Sequence, residues 1–465
     1  MAKKKEKTLE EKLQEALVPE NQWPYILPEN WCWVKFGSLA KDMADGPFGS
    51  NLKTEHYINE KEVRIIQLSN VSENGWKDDN VRYTTFEHAK TISRSIVKPG
   101  DIVITKMMPA GRAMICPNLE KEYVLSSDSV KFVPWDCLDR KYMTLGINST
   151  VFRKQVQENT QGITRARTSL KKLKSYIYPL APLAEQKRIV YRIESLFAKL
   201  DEAKEKIQQV LDGAEMRKAA ILHKAFTGEL TKNWRKENGI SEDSWVEYTL
   251  QSVCTMKITD GTHKTPTYSD KENGVVFLSA KDITSGEINW ENTKYITSEL
   301  HKELYSRLAP QINDILLAKN GTTGVAALVK EDKVFDIYVT LALLRPNVEI
   351  VIPEYLLNII NSPLCKVQFN ENLTGIGVPN LHLRDIKDVK IKVPSISEQE
   401  IISDKVEMLL ANEGMVTKNC LKQIEVIDTM KKSILAKAFR GELGTNNPNE
   451  DNALNLLKEV LQDKS

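Results

Sequence analysis

The chain has 465 residues, of which 41% are hydrophobic and 28% are charged, and its formal net charge at pH 7 is only +2. That length is too great for one hydrophobic core and predicts roughly two to four domains, and the composition is that of a folded protein rather than a disordered one. No stretch approaches the roughly 20 consecutive apolar residues that span a membrane, and the first residues lack the apolar core of a signal peptide. We therefore expect a cytoplasmic protein with no membrane partner.

The small net charge excludes a globally positive surface, but charge is uneven along the chain. Between Arg153 and Lys174, seven basic residues accompany a single acid, Glu158. Such a cluster fits a solvated surface or a phosphate-binding surface, and the sequence leaves both open. The six cysteines are scattered, without a C-x-x-C pair or a histidine at metal-ligand spacing, which predicts reduced structural thiols and no metal site.

An internal repeat of about 210 residues dominates the sequence. The decapeptide ILHKAFTGEL at residues 221–230 returns as ILAKAFRGEL at residues 434–443. Further matched residues upstream are Lys106 and Lys319, Gly111 and Gly324, Tyr142 and Tyr355, Asn148 and Asn361, and Glu185-Gln186 and Glu398-Gln399. The register slips slightly where Asp45-Gly46 matches Asp260-Gly261, as insertions in surface loops produce. The chain is therefore predicted to be a tandem duplication.

The repeat divides the chain into six predicted segments. Residues 1–29 form an N-terminal helical segment that resembles a partial third copy of the repeat end, because its leucines at 9, 13 and 17 match the apolar residues at 222, 226 and 230. Short β-branched and aromatic runs between turn residues predict two mixed α/β domains, at residues 30–178 and 242–391. Helical regions follow each domain at residues 179–241 and 392–444, and residues 445–465 form a polar tail with a short helix. We expect the first residues to pack beside the last helix.

Both helical regions carry apolar residues at alternating spacings of four and three, which is typical of a coiled coil. The predicted core positions are Ile189, Ile193, Leu196, Leu200, Ile207 and Val210 in one helix, and Ile402, Val406, Leu409 and Val416 in the other. Each helix could instead lie alone on its own domain, but two matched helices in one chain favour mutual packing. The predicted fold is α+β: a tandem pseudo-repeat of two mixed α/β domains separated by two long helices that form an antiparallel coiled coil.

Motifs of catalysis are missing from the sequence. It contains no P-loop, no G-x-G-x-x-G loop, no H-E-x-x-H zinc motif and no G-x-S-x-G nucleophile elbow. Its six histidines do not cluster, and His223, within the repeated decapeptide, corresponds to Ala436 in the second copy. We therefore expect a binding protein without catalytic residues and without a metal or cofactor of its own.

Two similar domains suit a ligand with two sites at a fixed distance, because linking both contacts raises their effective concentration. DNA is such a ligand. The matched loops nevertheless differ: MMPAGRAM at residues 107–114 corresponds to NGTTGVAA at 320–327, and GITRARTSLKKLK at 162–174 corresponds to GIGVPNLHLRDIK at 375–387. We therefore expect the two domains to read different sequences.

The peptides PLAEQKRI and ISEQEII at the helix starts, and KAFTGEL and KAFRGEL at the helix ends, resemble the conserved regions of specificity subunits of type I restriction-modification enzymes. The resemblance covers nearly the whole chain. It implies a non-catalytic subunit that binds a bipartite double-stranded DNA target, one half-site per target recognition domain, with the coiled coil setting the spacer. It also implies recruitment of two DNA-adenine methyltransferase (modification) subunits and of restriction/translocase subunits, and those partners would bind S-adenosylmethionine, ATP and magnesium.

Candidate DNA contacts follow from position and residue type. Lys106 and Lys319 end matched strand-like runs, and arginines can grip phosphate or bind guanine bidentately. The full candidate set is Lys106, Arg112, Arg165, Arg167, Lys264, Lys319, Asn320, Thr322 and Thr323. Solvated lysines and tight turns explain several of these positions equally well, as they do the loops DGPFGSN at 45–51 and DGTHKTP at 260–266.

Two other functions remain open from the residues alone. One is a coiled-coil scaffold whose two heads bind proteins, with only incidental DNA contact. The other is a nuclease, since the carboxylates and lysine at residues 331–333 can be fitted to a metal-nuclease pattern, although so short a pattern arises by chance in a chain this charged. Steep salt dependence of DNA binding distinguishes a specificity subunit from a scaffold.

Overall fold

A computed structural model describes residues 7–159, 167–371, 373 and 379–462. The chain divides into two compact units. The first unit comprises Met1–Lys206 and Gln423–Ser465, and the second unit comprises Ile207–Lys422. Each unit therefore combines the α/β domain of one repeat copy with the decapeptide of the other copy. Within the described residues, no helix combines the length and the apolar character that crossing a membrane requires.

Residues 7–212 contain six α-helices and twelve strands among the described residues. In chain order they are α1 (Leu9–Ala16), β1 (Cys32–Lys35), β2 (Ala40–Asp45), β3 (Val63–Ile66), β4 (Val71–Ser72), β5 (Gly75–Trp76), β6 (Tyr83–Thr84), α2 (Phe86–Thr91), β7 (Ile96–Val97), β8 (Ile102–Thr105), β9 (Ala113–Ile115), β10 (Tyr123–Leu125), β11 (Ser129–Pro134), α3 (Arg140–Asn148), α4 (Thr150–Glu158), α5 (Leu170–Ser175), β12 (Ile177–Leu180) and α6 (Leu183–Asp212).

The remainder of the chain contains eight helices and ten strands among the described residues. They are α7 (Ala214–Phe226), α8 (Lys232–Glu237), β13 (Val246–Thr249), β14 (Thr259–Asp260), β15 (Tyr268–Ser269), β16 (Val275–Leu278), β17 (Lys294–Ile296), α9 (Ser298–Arg307), β18 (Ile315–Ala318), β19 (Ala326–Leu328), β20 (Phe335–Ile337), β21 (Leu341–Leu344), α10 (Pro353–Ile360), α11 (Pro363–Glu371), α12 (Leu383–Asp388), β22 (Lys390–Val393), α13 (Ile396–Ala438) and α14 (Ala453–Gln462).

The two domains share one topology. An antiparallel sheet has the order β2-β11-β8-β9 in the first domain and β14-β21-β18-β19 in the second. A second sheet in each domain contains one parallel pair, β3 with β10 or β16 with β20. The first and last strands of each domain pair antiparallel, β1 with β12 and β13 with β22. Because equivalent strands pair with equivalent partners, the predicted α+β tandem repeat is confirmed.

Matched asparagines anchor a helix to an edge strand in each domain. Asn148 accepts a hydrogen bond from the Ala113 amide at 2.9 Å and donates to the Ala113 carbonyl at 2.8 Å. Asn361 makes the same two bonds with Ala326, at 2.9 and 3.0 Å. An edge strand has backbone groups without a strand partner, and the side-chain amide satisfies one donor and one acceptor. The repeated asparagines are therefore structural.

A buried carboxylate lies near the start of each long helix. In the second unit Glu398 is 1% exposed and accepts hydrogen bonds from Trp245 Nε1 at 3.1 Å and Thr231 Oγ1 at 2.6 Å. Arg235, also buried, donates to the same carboxylate at 2.5 Å. Because Trp245 precedes β13 and Thr231 follows the first decapeptide, the carboxylate joins three distant stretches of chain.

The first unit has the equivalent carboxylate with a different set of donors. Glu185 is fully buried and accepts hydrogen bonds from Trp31 Nε1 at 2.7 Å and Asn446 Nδ2 at 2.8 Å. Thr445 Oγ1 donates to the other carboxylate oxygen at 3.3 Å. Trp31 precedes β1, and residues 445 and 446 follow the second decapeptide, so the connection made in the second unit recurs here.

Each decapeptide packs on the domain of the other repeat copy. Phe226 lies 5.1 Å, centroid to centroid, from the buried Tyr355 ring in the second unit. Phe439 lies 5.0 Å from the buried Tyr142 ring in the first unit. The glycine two residues after each phenylalanine has a left-handed backbone, with φ of 82° and 76°, which confirms that it ends the helix. The decapeptides are thus alike because they fill equivalent sockets.

Both chain ends belong to the first unit. The apolar face of α1 and the buried Leu457 and Leu461 of α14 share one hydrophobic core with Phe439. Tyr25 donates a hydrogen bond to the Phe439 carbonyl at 2.8 Å, which places the N-terminal segment against the second decapeptide. The buried leucines of α14 thus pack the short helix of the tail into the first unit.

The long helices differ slightly from the prediction. The sequence predicts one helix over residues 186–226, but the helical hydrogen bonding is assigned to α6 and α7 on either side of Gly213. The interruption is small, since Gly213 keeps right-handed helical angles and its amide donates to the Gln209 carbonyl at 3.2 Å. Glycine lacks the Cβ that favours a regular helix, which explains the irregularity at this position.

The predicted coiled-coil positions vary in burial. Ile189, Ile193, Ile402 and Val406 are buried in the unit cores; Leu196, Leu200, Ile207 and Leu409 are half-buried; Val210 and Val416 are 39% and 40% exposed. Ion pairs also link α6 to α13 in the first unit, between Lys204 and Asp428 at 2.8 Å and between Lys431 and Asp201. In the second unit Arg217 of α7 pairs with Glu413 of α13 at 3.0 Å, which accounts for a glutamate within the apolar stripe.

We predict that Phe439→Ala destabilises the first unit and Phe226→Ala the second, each by about 3 to 5 kcal/mol, because a buried aromatic ring is removed and a cavity remains. Hydrogen exchange measured by mass spectrometry should show reduced protection confined to one unit in each variant. Met430→Ala on α13 and Met216→Ala on α7 are matched controls, since these side chains are 46% and 77% exposed. Reduced protection in the domain adjacent in sequence, rather than in the domain that holds the ring, would contradict the crossed packing.

Candidate nucleic-acid interface

Each domain has a cleft at the end of its parallel strand pair. β3 and β10 run in the same direction, as do β16 and β20, so the loops that follow them meet at one edge of the sheet. A third loop, which follows β8 or β18, lines the same cleft. Loops from several strands converge at such an edge, which makes it a common place for binding sites.

The first cleft has a volume of about 480 Å³ and lies in the first unit. Its lining consists of Leu52, Tyr57, Gln67, Leu68, Ser69, Asn80, Pro109, Arg112, Ser126, Ser127 and Asp128. The side-chain amides of Gln67 and Asn80 are hydrogen-bonded to each other. This cleft therefore offers one cation, one carboxylate and two amides, which are side chains able to read base edges.

The second cleft has a volume of about 560 Å³ and lies in the second unit. Its lining consists of Tyr268, Phe277, Ser279, Ala280, Lys281, Thr284, Lys294, Asn320, Gly321, Thr322, Tyr338 and Thr340. Lys294 Nζ lies 4.3 Å from the Tyr268 ring centroid, and the Phe277 and Tyr338 rings lie 5.8 Å apart. With two lysines, three aromatic rings and no acid among the described residues of its lining, this cleft is more basic and more aromatic than the first cleft.

The backbone frame of the two clefts is the same. The Lys106 amide donates to the Asp128 carbonyl at 2.7 Å, and the Lys319 amide donates to the Thr340 carbonyl at 2.8 Å. Gly111 and Gly324 both have a φ of 77° in the third loop. The side chains carried by this frame differ between the domains, as the sequence predicted for the loops.

The matched lysines form ion pairs beside the clefts. Lys106 Nζ lies 2.5 Å from Asp45 Oδ1, and Lys319 is paired with Asp260 while only 6% exposed. Both aspartates belong to the matched Asp-Gly peptides noted in the sequence. Lys319 is buried with its charge already neutralised, which limits what it can offer a phosphate, whereas the side chains of Lys106 and Asp45 are 15% and 43% exposed.

The glycines of the same Asp-Gly peptides allow a close approach of backbone segments. A Cβ added to Gly46 would lie 1.8 Å from the Ser126 carbonyl oxygen, and one added to Gly261 would lie 1.9 Å from the Ile337 carbonyl oxygen. Neither distance is sterically possible, which explains the glycine in both copies. These peptides therefore fix β2 and β14 against the strand ends that form the clefts.

Of the other candidate arginines and lysines that the structure describes, only Arg112 lines a cleft. Arg112 lines the first cleft, where its Nε lies 3.8 Å from a Glu73 oxygen, and Arg167 donates to Asp128 at 2.8 Å while 46% of its side chain stays exposed. Lys264 pairs with Glu303 at 2.8 Å and does not line the second cleft. Arg165 lies outside the described residues.

The glycine-containing loop of the second domain contributes directly to the second cleft. Asn320 and Thr322 line the cleft, and Thr323 lies next to them without lining it. Asn320 also pairs through its backbone with Asn380, which fixes the base of the loop. Of the candidates in this domain, Asn320 and Thr322 are those that the fold brings together.

Sequence reasoning missed much of the cleft lining. Gln67, Asn80 and Asp128 in the first cleft, and Lys281 and Lys294 in the second, were not candidates. The signal that could have found some of them is the end of the first strand of each parallel pair, at Ile66 and Leu278, since the residues that follow line the cleft. The remaining residues reach the cleft only through tertiary folding.

The described residues offer little basis for catalysis. They contain no group of three or more histidine, cysteine or acidic side chains arranged to hold a metal ion. Burial raises the pKa of the Cys32, Cys254 and Cys365 thiols to about 12, so at neutral pH they carry the proton and are poor nucleophiles. Burial also raises the pKa of the Asp336 carboxyl, although His301 Nδ1 lies 2.7 Å from it. Neither residue of that pair belongs to a cleft lining.

Comparison with known proteins gives one consistent result. The family model described as the type I restriction modification DNA specificity domain matches residues 43–212 and 242–426. The specificity subunit of the type I restriction enzyme EcoBI from Escherichia coli is 27% identical over 67% of this chain and 69% of its own length. The EcoKI specificity subunit from Escherichia coli strain K12 is 21% identical over 94% of this chain and 96% of its own length.

Solved structures share the fold. A chain from a study of the assembly and conformational transition of the type I R-M system has a TM-score of 0.65, with 18% identity over 90% of this chain and all of its own. The HsdS subunit from Thermoanaerobacter tengcongensis has a TM-score of 0.57, with 18% identity over 91% of this chain. The family model matches most of the chain in two stretches, one per repeat copy. The chain therefore belongs to the family of type I restriction-modification specificity subunits, which are the non-catalytic components of those systems.

Proposed function

We propose that this chain binds a bipartite DNA target, with the first cleft contacting one half-site and the second cleft contacting the other. The observation that carries the proposal is that both clefts have the same backbone frame but different lining side chains. A shared frame presents each lining to DNA in the same way, while different side chains let each cleft select its own bases.

The lining chemistry supports DNA as the ligand. Lys281 and Lys294 bring positive charge to the second cleft, and the aromatic rings beside them can contact sugars and bases. Arg112 and the Gln67 and Asn80 amides are donors and acceptors of the kind that bind guanine or adenine bidentately. A scaffold that bound proteins through both domains would not need different cleft side chains on the same backbone.

The spacer between half-sites is proposed to be set by an antiparallel coiled coil of the two helical regions. Within the first unit, Lys204 pairs with Asp428 and Asp201 with Lys431, so residue numbers rise along one helix as they fall along the other. Within the second unit, Arg217 and Glu413 join α7 to α13. Both unit boundaries, after Lys206 and after Lys422, fall inside α6 and α13 rather than in loops.

Partner subunits are proposed to bind the parts that the two copies share. The decapeptides are identical at eight of ten positions, and both helix starts keep the Glu-Gln pair, so these parts can present two similar surfaces. Two DNA-adenine methyltransferase subunits, and through them restriction/translocase subunits, would bind there in the cytoplasm. S-adenosylmethionine, ATP and magnesium would then be bound by those partners rather than by this chain.

Exchange of one domain tests the assignment of half-sites. Replacing residues 31–178 with another recognition domain should change the sequence of one half of the methylated target and leave the other half unchanged. Sequencing of methylated adenines in host DNA measures both halves at once. A change in both halves would refute the assignment of one domain to one half-site, and methylation without sequence preference would favour the scaffold function.

Charge removal tests the second cleft. In the complex with its methyltransferase subunits, Lys281→Ala/Lys294→Ala should weaken DNA binding and reduce the slope of log affinity against log salt concentration by about 2, roughly one for each phosphate that the variant no longer neutralises. Lys302→Ala, on the exposed face of α9, is the matched control and should leave the slope unchanged. An unchanged slope in the double variant would exclude the second cleft as a DNA-binding surface.

Lys319→Met should instead destabilise the second unit by about 3 to 5 kcal/mol, because it leaves Asp260 buried without its lysine partner.

Shortening both helices tests the spacer. Deleting residues 205–211 from α6 and 420–426 from α13 removes seven residues from each, or about 10 Å of helix at 1.5 Å per residue. The preferred spacer should shorten by about 3 base pairs, given about 3.4 Å per base pair. Binding to a series of DNA duplexes that differ only in spacer length measures the effect. If the preferred spacer stays unchanged, the helices do not set it.

A further inference from the structure

The second unit contains a groove whose lining shares no residue with either cleft. It is formed by α10, the N-terminal part of α13 and the loops after Ser285 and Leu328, and its volume is about 1050 Å³. Trp290, Leu357 and Leu410 contribute apolar surface to its lining. A groove of this size can hold several side chains of a bound peptide.

Six acids surround the apolar surface of the groove. They are Glu287, Glu331, Glu354, Glu400, Asp404 and Glu407, and Lys330 is the one basic residue among the described residues of the lining. In the same described part of the chain, Glu354, Glu400, Asp404 and Glu407 form no ion pair, and all four are exposed. This charge repels phosphate, so the groove does not suit nucleic acid and suits a basic ligand.

A buried hydroxyl provides an independent sign of a ligand. Ser403 lines the groove and is 9% exposed, and its Oγ has no hydrogen-bond partner among the described residues. A buried polar atom without a partner costs about 1 to 3 kcal/mol, so such atoms are uncommon in a finished interior. A ligand group that enters the groove and bonds to Ser403 would remove that cost.

The equivalent surface of the first unit is less acidic. In the repeat register, Glu354 corresponds to Lys141 and Glu400 to Lys187, and the buried Ser403 corresponds to Val190. Lys141 is already paired with Glu194 at 2.6 Å. Glu407 corresponds to Glu194 and Asp404 to Tyr191, so only one of the four unpaired acids is kept at the matched place, which would attract a basic ligand less strongly.

From this contrast we infer that the groove docks a basic, partly apolar peptide segment of a protein partner, and that one copy of that segment binds per chain. The inference does not rest on the proposed DNA function. It differs from binding of two equivalent partner subunits, because the site exists in only one of the two repeat copies. A single asymmetric site would distinguish the two sides of an otherwise repeated subunit.

A labelled amphipathic peptide of alternating lysine and leucine pairs tests the inference, with the full chain and its methyltransferase subunits as receptor. Fluorescence anisotropy should show saturable binding of one peptide per chain, and hydrogen exchange should show protection in α10 and the start of α13. The same peptide with glutamate in place of lysine should not bind. Glu354→Lys/Glu400→Lys, which installs the charges of the first unit, should weaken binding about tenfold or more through like-charge repulsion.

Two further variants separate a specific site from general attraction between charges. Glu272→Lys/Glu299→Lys makes the same charge change on exposed residues of the second unit outside the groove and should leave affinity nearly unchanged. Ser403→Ala should raise the thermal stability of the free chain, because an unpaired buried hydroxyl is removed, yet weaken peptide binding. Equal loss of binding in both charge-reversal variants, protection outside the groove, or more than one peptide per chain would overturn the inference.

Discussion

The structure of both units depends on a buried carboxylate near the start of each long helix. A carboxylate removed from water must be supplied with hydrogen-bond donors, and a missing donor would destabilise the fold. Glu185 and Glu398 obtain these donors from the tryptophan that precedes their own domain and from residues that follow the decapeptide of the other copy. Each unit is therefore built from residues of both repeat copies.

Because each unit uses residues of both copies, the residues that pack the units together must stay alike, whereas the residues that line the clefts can differ. Phe226 and Phe439 each pack against a buried tyrosine ring. Each Asp-Gly peptide is held by the ion pair of its aspartate with a lysine, and its glycine lies so close to a neighbouring carbonyl group that a side chain would clash. The cleft linings lie beyond this frame, at strand ends where side chains point into open space. Their substitution costs little stability, which is the physical reason that one frame supports two different recognition surfaces.

Charge shows how far the two copies have diverged. The second cleft is basic while the first combines an arginine with an aspartate, and two acids of the groove beside α13 have lysines at the matched positions of the first unit. Exposed charges can reverse sign without disturbing the core, whereas the buried pair of Lys319 and Asp260 recurs as Lys106 and Asp45. Burial therefore distinguishes the Lys319–Asp260 pair from the exposed charges that line the groove.

The sequence alone determined the duplication, the α+β class, the position of the helix ends and the family, because these depend on local pattern: repeated peptides, heptads, and glycine after a helix. It also indicated that the loops of the two copies differ. Only the tertiary structure revealed the aspartate partners of the matched lysines, since each aspartate lies about 60 residues away in the chain, beyond the reach of a local pattern. The clefts, the crossed packing of the decapeptides and the acidic groove likewise join residues far apart in sequence, and contacts of that kind leave no local periodicity from which they could be predicted.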